Sequence, residues 1–563
     1  MDNSYISAKE ILSSYDEVTV LSEINKDIIL FSIQGKEFIF FAPAETDAAS
    51  RGDFCLINDD GFDFPHIMLT EKALPDIEGL PSGKYRWICL YEHESIVNSI
   101  VSYEDKIIDA IDRLLELLSM NKLEREREFQ KEFMFYWNCK SVGNVTANIY
   151  LHQEELFSKM DVYFGKSSIR FVEEGACLSD IDSREKGERI WIHHVENDAF
   201  YIPITDTRDI LPPHNGFEWQ AQEIQNILYP RQIEHISEST FQFISTIVPK
   251  TQNIILVFGM KVNGVTVVFA VRVKCKNNQG NSLLGKILED VITVEPLYTV
   301  RKDYLFLNEL IGNDIGLKNK KILIVGAGSL GSYVTFELVK NGVSQLVIYD
   351  GDKLEDANVL RWAYAGIGNT HNKATTVALL LRRLHPEINV EAHDKNIGIE
   401  ELVQEASQTD FIIFTIGSSD EQLKMNRALK NANCQAVVIY VWLEAGGQDS
   451  HILVVDYNKK GCYECLYTDI NGEPVNNRTT ASIVPIDTVI VSNGCGGTRA
   501  SYGTAVILRT VAALLTTIRK IQTKEILSNT LIDITEDTVS YSELNFPMEA
   551  CGCCGNKSKQ SMC

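Results

Sequence analysis

Hydrophobic positions along this chain follow two periods, and the places where the period changes divide it. Near the N-terminus, Ile28–Ile33 and residues 37–41 read as the strands of a hairpin with Gln34 and Gly35 at the turn. A Pro- and Gly-containing loop then leads to the apolar stretch 85–91, which places Cys89 beside a loop. From Tyr103 the spacing becomes helical, with Ile107, Ile108, Ile111, Leu114, Leu115 and Leu118 on one face. A charged helix continues through Glu124, Arg125, Glu126, Arg127 and Glu128; its mixed signs predict a solvated face. It ends in the aromatic run 133–137. Residues 140–300 are strand-rich, with 254–259 and 265–271 as paired strands, no internal repeat and no chemical motif. They read as a linker or scaffold.

After a short helix within 301–319 the pattern alternates. The buried-strand run Lys321–Val325 meets the turn Gly326-Ala327-Gly328-Ser329-Leu330-Gly331, and an apolar-periodic helix extends to about Lys340. The strand Gln345–Tyr349 ends at Asp350. Then come a helix over 373–384, a strand at 389–392, a helix near 399–406, a strand at 411–415, a helix over 420–431 and a strand at 436–441. Strands that alternate with helices predict an α/β fold with a doubly wound sheet. The expected divisions are 1–139, 140–300 and 301–563, in keeping with a length of 563 residues.

Composition narrows the partners. Lys+Arg 53 against Asp+Glu 77 gives a net charge of −24, which disfavours broad binding to nucleic acid or to an anionic membrane. No apolar run is long enough to span a bilayer, and the N-terminus lacks a signal-peptide pattern. The expected compartment is the cytoplasm, so the 13 cysteines point to metal and catalytic thiols before disulfides.

Three constellations carry chemistry. In the strand–turn–helix–strand unit, Gly326 permits the tight turn, Gly328 lets a phosphate approach the backbone, and Gly331 lets the helix pack on the strand. Free N–H groups at the helix start favour an anion, and Asp350 stands where an acid accepts ribose hydroxyls. The pairs Cys462/Cys465 and Cys551/Cys554 offer four thiolates to a tetrahedral Zn2+ that would tie the C-terminal tail to the core, with Cys553 the poorer ligand. Cys495, between glycines and near the start of an apolar helix, reads as a nucleophile whose thiolate a helix N-terminus would stabilise; the bland alternative is a small residue in a tight turn. By local chemistry alone, Cys89 reads as a buried small hydrophobe.

The series Gly326 to Gly331, Asp350-Gly-Asp352, Asn358-Val-Leu-Arg361 and Lys373, together with the split cysteine pairs, resembles the ThiF/MoeB/ubiquitin-activating adenylyltransferase family over roughly residues 300–555. The resemblance implies a Rossmann-like adenylation domain with a C-terminal zinc site, and dimerisation through that domain. It also implies ATP with Mg2+ held by the glycine turn, Asp350, Asp352, Asn358, Arg361 and Lys373. The position of the family's magnesium-holding Asp falls on Gly417, with Asp420 out of register and Asp352 as the alternative carboxylate. Residues 1–139, with Phe64-Pro65-His66-Ile67, Gly83 and Ile88-Cys89-Leu90, are similar to an α+β ubiquitin-conjugating domain whose H-P-N Asn is absent; Cys89 would be its cysteine. The domain order resembles the conjugating–activating fusion proteins of bacterial antiphage CBASS operons. What this implies is adenylation of a ubiquitin-like or similarly tailed protein, a thioester on Cys495 and transfer to Cys89. The alternatives are an NAD-dependent oxidoreductase, a non-catalytic nucleotide-binding scaffold and sulfur-carrier activation.

Overall fold

The computed structural model describes residues 7–25, 28–41, 55–58, 64–67, 85–90, 102–141, 145–165, 168–174, 193–214, 216–229, 233–276, 280–312, 317, 319–356, 359–364, 371–385, 388–444, 446–479, 489–492, 498–500, 502–543 and 546–555. The chain forms two compact units, one of residues 1–176 with 189–302, the other of 177–188 with 303–563.

The first unit holds two sheets. Five antiparallel strands, Thr19–Asn25, Ile28–Ile33, Lys36–Phe41, Cys55–Asn58 and Tyr85–Ile88, pair in chain order. The predicted hairpin is present, and Gln34 (φ 53°) and Gly35 (φ 78°) both take the left-handed conformation that a two-residue turn of this hand requires. Helix Tyr103–Ser119 lays Ile107, Ala110, Ile111, Leu114 and Leu117 against Ile29, Phe31, Phe38 and Phe40. The charged run lies in helix Lys122–Lys131, and a separate helix, Phe133–Lys140, carries the aromatic run. One charge departs from the predicted solvated face. Glu128 is largely buried and pairs with His66, because that helix side packs on the loop before Cys89.

The second sheet of this unit has eight strands in the order Val291–Leu297, Val265–Cys275, Asn253–Val262, His193–Pro203, Ser158–Phe164, Ser168–Glu173, Thr146–Tyr150, Thr299–Arg301. The expected strand pair is the hairpin at its heart, and the strand-rich region also carries the helices Ala221–Leu228, Glu238–Thr246 and Leu283–Glu289. Phe133 and Trp137 pack on Phe269 with ring centroids 4.7 and 4.6 Å apart. Inside, Arg301 is ion-paired with Glu154 and donates to the Thr266 carbonyl at 2.7 Å, while Thr266 Oγ1 donates to Glu154 at 2.8 Å.

The second unit is the doubly wound sheet. Its parallel strands lie in the order Asn389–His393, Gln345–Tyr349, Lys321–Val325, Phe411–Phe414, Val437–Leu443. Antiparallel strands Ser450–Val455, Thr530–Ile534 and Val539–Ser542 extend it. The central runs are almost wholly apolar because both faces are covered, while the edge strand Asn389–His393 carries Asn389, Glu391 and His393. Helices Ser329–Lys340, Lys373–Leu384 and Thr504–Gln522 pack on one face, and Ile399–Ala406 and Ser419–Asn431 on the other. Strand order therefore reverses at Lys321–Val325 beside Phe411–Phe414, and a ligand crevice opens past the carboxyl ends of those strands.

The buried ion pair makes a stability prediction. Glu154→Gln removes one side of the buried Arg301–Glu154 ion pair and should destabilise the first unit by about 3–5 kcal/mol, read as a lower denaturant midpoint.

Candidate functional site

The crevice is built by the glycine turn. Gly326 has φ +101°, and a Cβ there would lie 2.9 Å from Ile416 Cγ2 and 3.0 Å from Thr415 Oγ1. At Gly331 a Cβ would lie 2.0 Å from the Gly326 carbonyl oxygen and 2.5 Å from Thr415 Oγ1. Thr415 Oγ1 also donates to the Gly326 carbonyl at 2.8 Å, so the neighbouring strand clamps the turn. Gly328 differs: nothing lies within 4 Å of its Cβ direction, and it starts helix Ser329–Lys340 without a side-chain cap. The helix start thus presents its N–H groups and partial positive charge to open space, where a phosphate fits.

Asp350 anchors the next wall. Its carboxylate accepts from the Ala327 N–H at 2.7 Å and the Asp352 N–H at 2.8 Å. Burial pushes its pKa up, while those two N–H groups and Lys373 act in the opposite sense. Asn372 caps helix Lys373–Leu384 and its side-chain amide donates to the carbonyls of Asp350 (2.6 Å) and Asp352 (3.0 Å). The largely buried Lys373 side chain ends on Asp352, 2.8 Å from the carboxylate, which is itself exposed. The Trp362 indole N–H donates to the Ala327 carbonyl at 2.9 Å, and the Arg361 guanidinium lies 4.8 Å from the centroid of the Tyr502 ring. Two cations, a helix N-terminus and one buried acid suit a polyphosphate carried on a ribose.

Asn372, Trp362 and Thr415 escaped the sequence reading. Asn372 carried a usable signal, as a polar residue immediately before a helical period is an N-cap candidate. Trp362 and Thr415 act through backbone carbonyls far along the chain and have no local signature. Asn358 and Cys495 lie outside the described residues. The apolar helix expected near Cys495 spans Thr504–Gln522, after strand Thr498–Ala500. Gly417 follows strand Phe411–Phe414 and its Cβ direction is open, whereas Asp420 sits on helix Ser419–Asn431 paired with Lys424 at 2.7 Å. Asp352, the alternative carboxylate, is exposed and paired with Lys373. Cys89, in the first unit, follows strand Tyr85–Ile88 and is half-buried.

The second constellation assembles as expected. The sulfurs of Cys462, Cys465, Cys551 and Cys554 all lie within 4.8 Å of one another, with Cys462 3.8 Å from Cys551 and Cys465 3.4 Å from Cys554. A tetrahedral zinc with Zn–S of ~2.3 Å needs sulfurs about 3.8 Å apart, so the set fits. Cys553 stands aside, its sulfur accepting from the Asn426 amide at 3.3 Å. Hydrogen bonds from Cys462, Cys465 and Cys554 favour a thiolate at Cys551, as a cation-binding set requires. Arg478 joins the two segments by donating to the carbonyls of Cys465 (2.8 Å) and Phe546 (2.9 Å).

A doubly wound domain with a phosphate turn at its switch point and a four-thiol cluster on its C-terminal segment defines the class. Residues 311–560 match the ThiF family. Ubiquitin-like modifier-activating enzyme 5 of Caenorhabditis elegans is 23% identical over 178 residues, 29% of this chain and 41% of the relative. The protein of that name from Drosophila ananassae is 22% identical over 222 residues, 37% of this chain and 54% of the relative. The chain thus spans about half or less of these relatives. Among solved structures, E. coli MccB with MccA-N7isoASN is similar at 20% identity and a TM-score of 0.33, covering 43% of this chain and 68% of that one. No helix among the described residues is long and apolar enough to cross a membrane.

Two outcomes follow from this geometry. Gly331→Ala cannot be relieved by a rotamer change, because the obstacle is a backbone carbonyl; the domain should lose about 1–3 kcal/mol of stability and its nucleotide affinity, checked by melting and calorimetry. Elemental analysis should find one zinc per chain, and chelation or Cys551→Ser should raise hydrogen exchange across residues 546–555.

Proposed function

We propose that the protein adenylates the C-terminal carboxylate of a ubiquitin-like modifier or a similarly tailed protein and passes the activated acyl group to its own cysteines. The observation that carries this reading is the set around the glycine turn. Asp350, bonded to the Ala327 N–H of the turn, offers the ribose acceptor, and Lys373 on Asp352 and Arg361 over Tyr502 are the cations offered to the phosphates, within the segment that matches the ThiF family. The names of the similar proteins agree with it, as they describe enzymes that activate ubiquitin-like modifiers.

The chemistry runs as follows. A carboxylate oxygen of the modifier attacks the α-phosphorus of ATP, the bond to the β-phosphate oxygen breaks, and pyrophosphate leaves. Arg361 and Lys373 offset the charge that develops on the phosphoryl oxygens. Mg2+ would draw on Asp352 and supply further charge neutralisation. The Cys495 thiolate then attacks the acyl carbon and AMP leaves, forming a thioester. The Cys89 thiolate displaces the Cys495 thiolate in turn, and a target nucleophile finally discharges Cys89. The four-cysteine zinc site is structural in this reading. Residues 1–139 act as the conjugating domain, the protein works as a cytoplasmic homodimer, and the setting is bacterial antiphage defence. The second reading, a nucleotide-binding scaffold without turnover, draws its support from Gly417, which brings no carboxylate to the metal.

Partner-dependent exchange of labelled pyrophosphate into ATP decides between them. Exchange should appear with a ubiquitin-like protein present and fall about 10²–10³-fold in Arg361→Ala or Lys373→Ala. No exchange with any ubiquitin-like partner would leave the scaffold reading. Cys495→Ala should keep exchange but lose the thiol-sensitive adduct, and Cys89→Ala should keep the first adduct and block its onward transfer.

A further inference from the structure

Cys89 does not stand in the surroundings of a small core residue. It lines a cavity of about 420 Å³ with His66, Lys131, Glu132, Phe133, Met134, Phe135, Val262 and Val267. His66 controls this wall through both its backbone and its ring. Its φ of +69° is left-handed, a costly conformation for a residue with a side chain. Three groups hold it there. Its N–H donates to the Tyr136 hydroxyl at 2.7 Å, its carbonyl accepts from the Cys89 N–H at 2.8 Å, and its ring lies between two carboxylates. Nε2 is 3.3 Å from Glu128 and Nδ1 is 3.4 Å from Glu132. Burial opposes the charged ring, but Glu132 and Glu128 outweigh it and raise the His66 pKa. Among the described residues, Lys131 also lines the cavity, paired with Glu128 at 2.5 Å, and Arg125 lies over the ring of Phe64 at 5.5 Å.

We propose that His66, clamped between Glu128 and Glu132, is a positioning residue that holds the Cys89 backbone and offsets the two carboxylates beside the cavity, so that Cys89 ionises as a reactive thiol. The pairing decides this. Glu128 meets both His66 and Lys131, whereas Glu132 meets His66. When His66 loses its proton, the Glu132 charge is no longer offset by the ring, and a thiolate forming beside it is disfavoured. The inference deepens the proposed role of Cys89 as an acyl acceptor. Its test needs neither nucleotide nor modifier, so it can fail while the adenylation reading stands, and the reverse.

The experiment is the alkylation rate of Cys89 with iodoacetamide, a neutral probe, followed on the Cys89 peptide by mass spectrometry from pH 5.5 to 9 in the full-length protein. At pH 6, His66→Asn should react several-fold more slowly than wild type. Glu132→Gln removes a carboxylate from the cavity wall and should react faster. The wild-type profile should also deviate from a single thiol titration, and the deviation should vanish in His66→Asn. Rates that rise in both variants would mean that the loop has merely loosened, and would overturn the proposal. Equal rates in wild type and His66→Asn would overturn it as well. Melting curves screen for variants that do not fold; Glu128→Gln, expected to act in the same direction as Glu132→Gln, is the substitute.

Discussion

The nucleotide crevice depends on one contact, the approach of Gly331 to the carbonyl of Gly326. That approach leaves no room for even one carbon on Gly331. It sets the distance between helix Ser329–Lys340 and the sheet, and so aims the helix start at the crevice. Everything else around the turn fixes the same geometry from another side. Thr415 clamps the Gly326 carbonyl from the next strand, Asp350 takes the Ala327 N–H, and Trp362 takes the Ala327 carbonyl. Three polar side chains thereby satisfy the backbone of a turn that would otherwise be strained and partly unpaired, which leaves the open direction at Gly328 for a ligand. The site is stiff because its backbone is over-determined.

The cysteine cluster extends the same logic to the far end of the domain. Segments 462–465 and 551–554 lie 89 residues apart in sequence and meet at four sulfurs. Gly461 (φ +94°) abuts Phe546, so the approach is close on the backbone side as well as at the thiols. The cluster belongs to the core on the sheet face that carries helices Ile399–Ala406 and Ser419–Asn431, with Cys462, Cys465 and Cys551 counted among its buried residues. A metal there would bind the C-terminal segment to the scaffold of the switch point without entering the crevice.

Local chemistry was legible in the sequence where the residues that cooperate are close in the chain or announce a period. The turn, Asp350, the helix from Lys373 and the two C-x-x-C pairs all have that property. The His66 clamp does not: Glu128 lies 62 residues from His66 and sits in a run whose alternating signs look solvated. Periodicity reports which side of a helix is apolar, and a single acid that pairs across the fold is invisible to it. The apolar helix after Cys495, with Val506, Leu508, Val511, Leu514 and Leu515, was legible because its period is carried by residues close in the chain. The helices within 140–300 were missed because short amphipathic segments between long β-branched strands are dominated by the strand signal.

Surroundings sort the cysteines in a way that counting them cannot. Burial pushes the Cys275 thiol up to about 11, and burial likewise raises Cys434 and Cys139, so these behave as small hydrophobes. Cys462, Cys465, Cys551 and Cys554 face one another, and their shared negative charge calls for a cation. Cys89 belongs to neither group. It faces a cavity whose other wall carries a histidine gripped by two acids, and its own amide is bonded to that histidine's carbonyl. A buried small residue would need no such neighbour, and a metal ligand would need other thiols or imidazoles within reach. In the role proposed for His66, the arrangement sets a cation near a single sulfur, a condition that favours a thiolate.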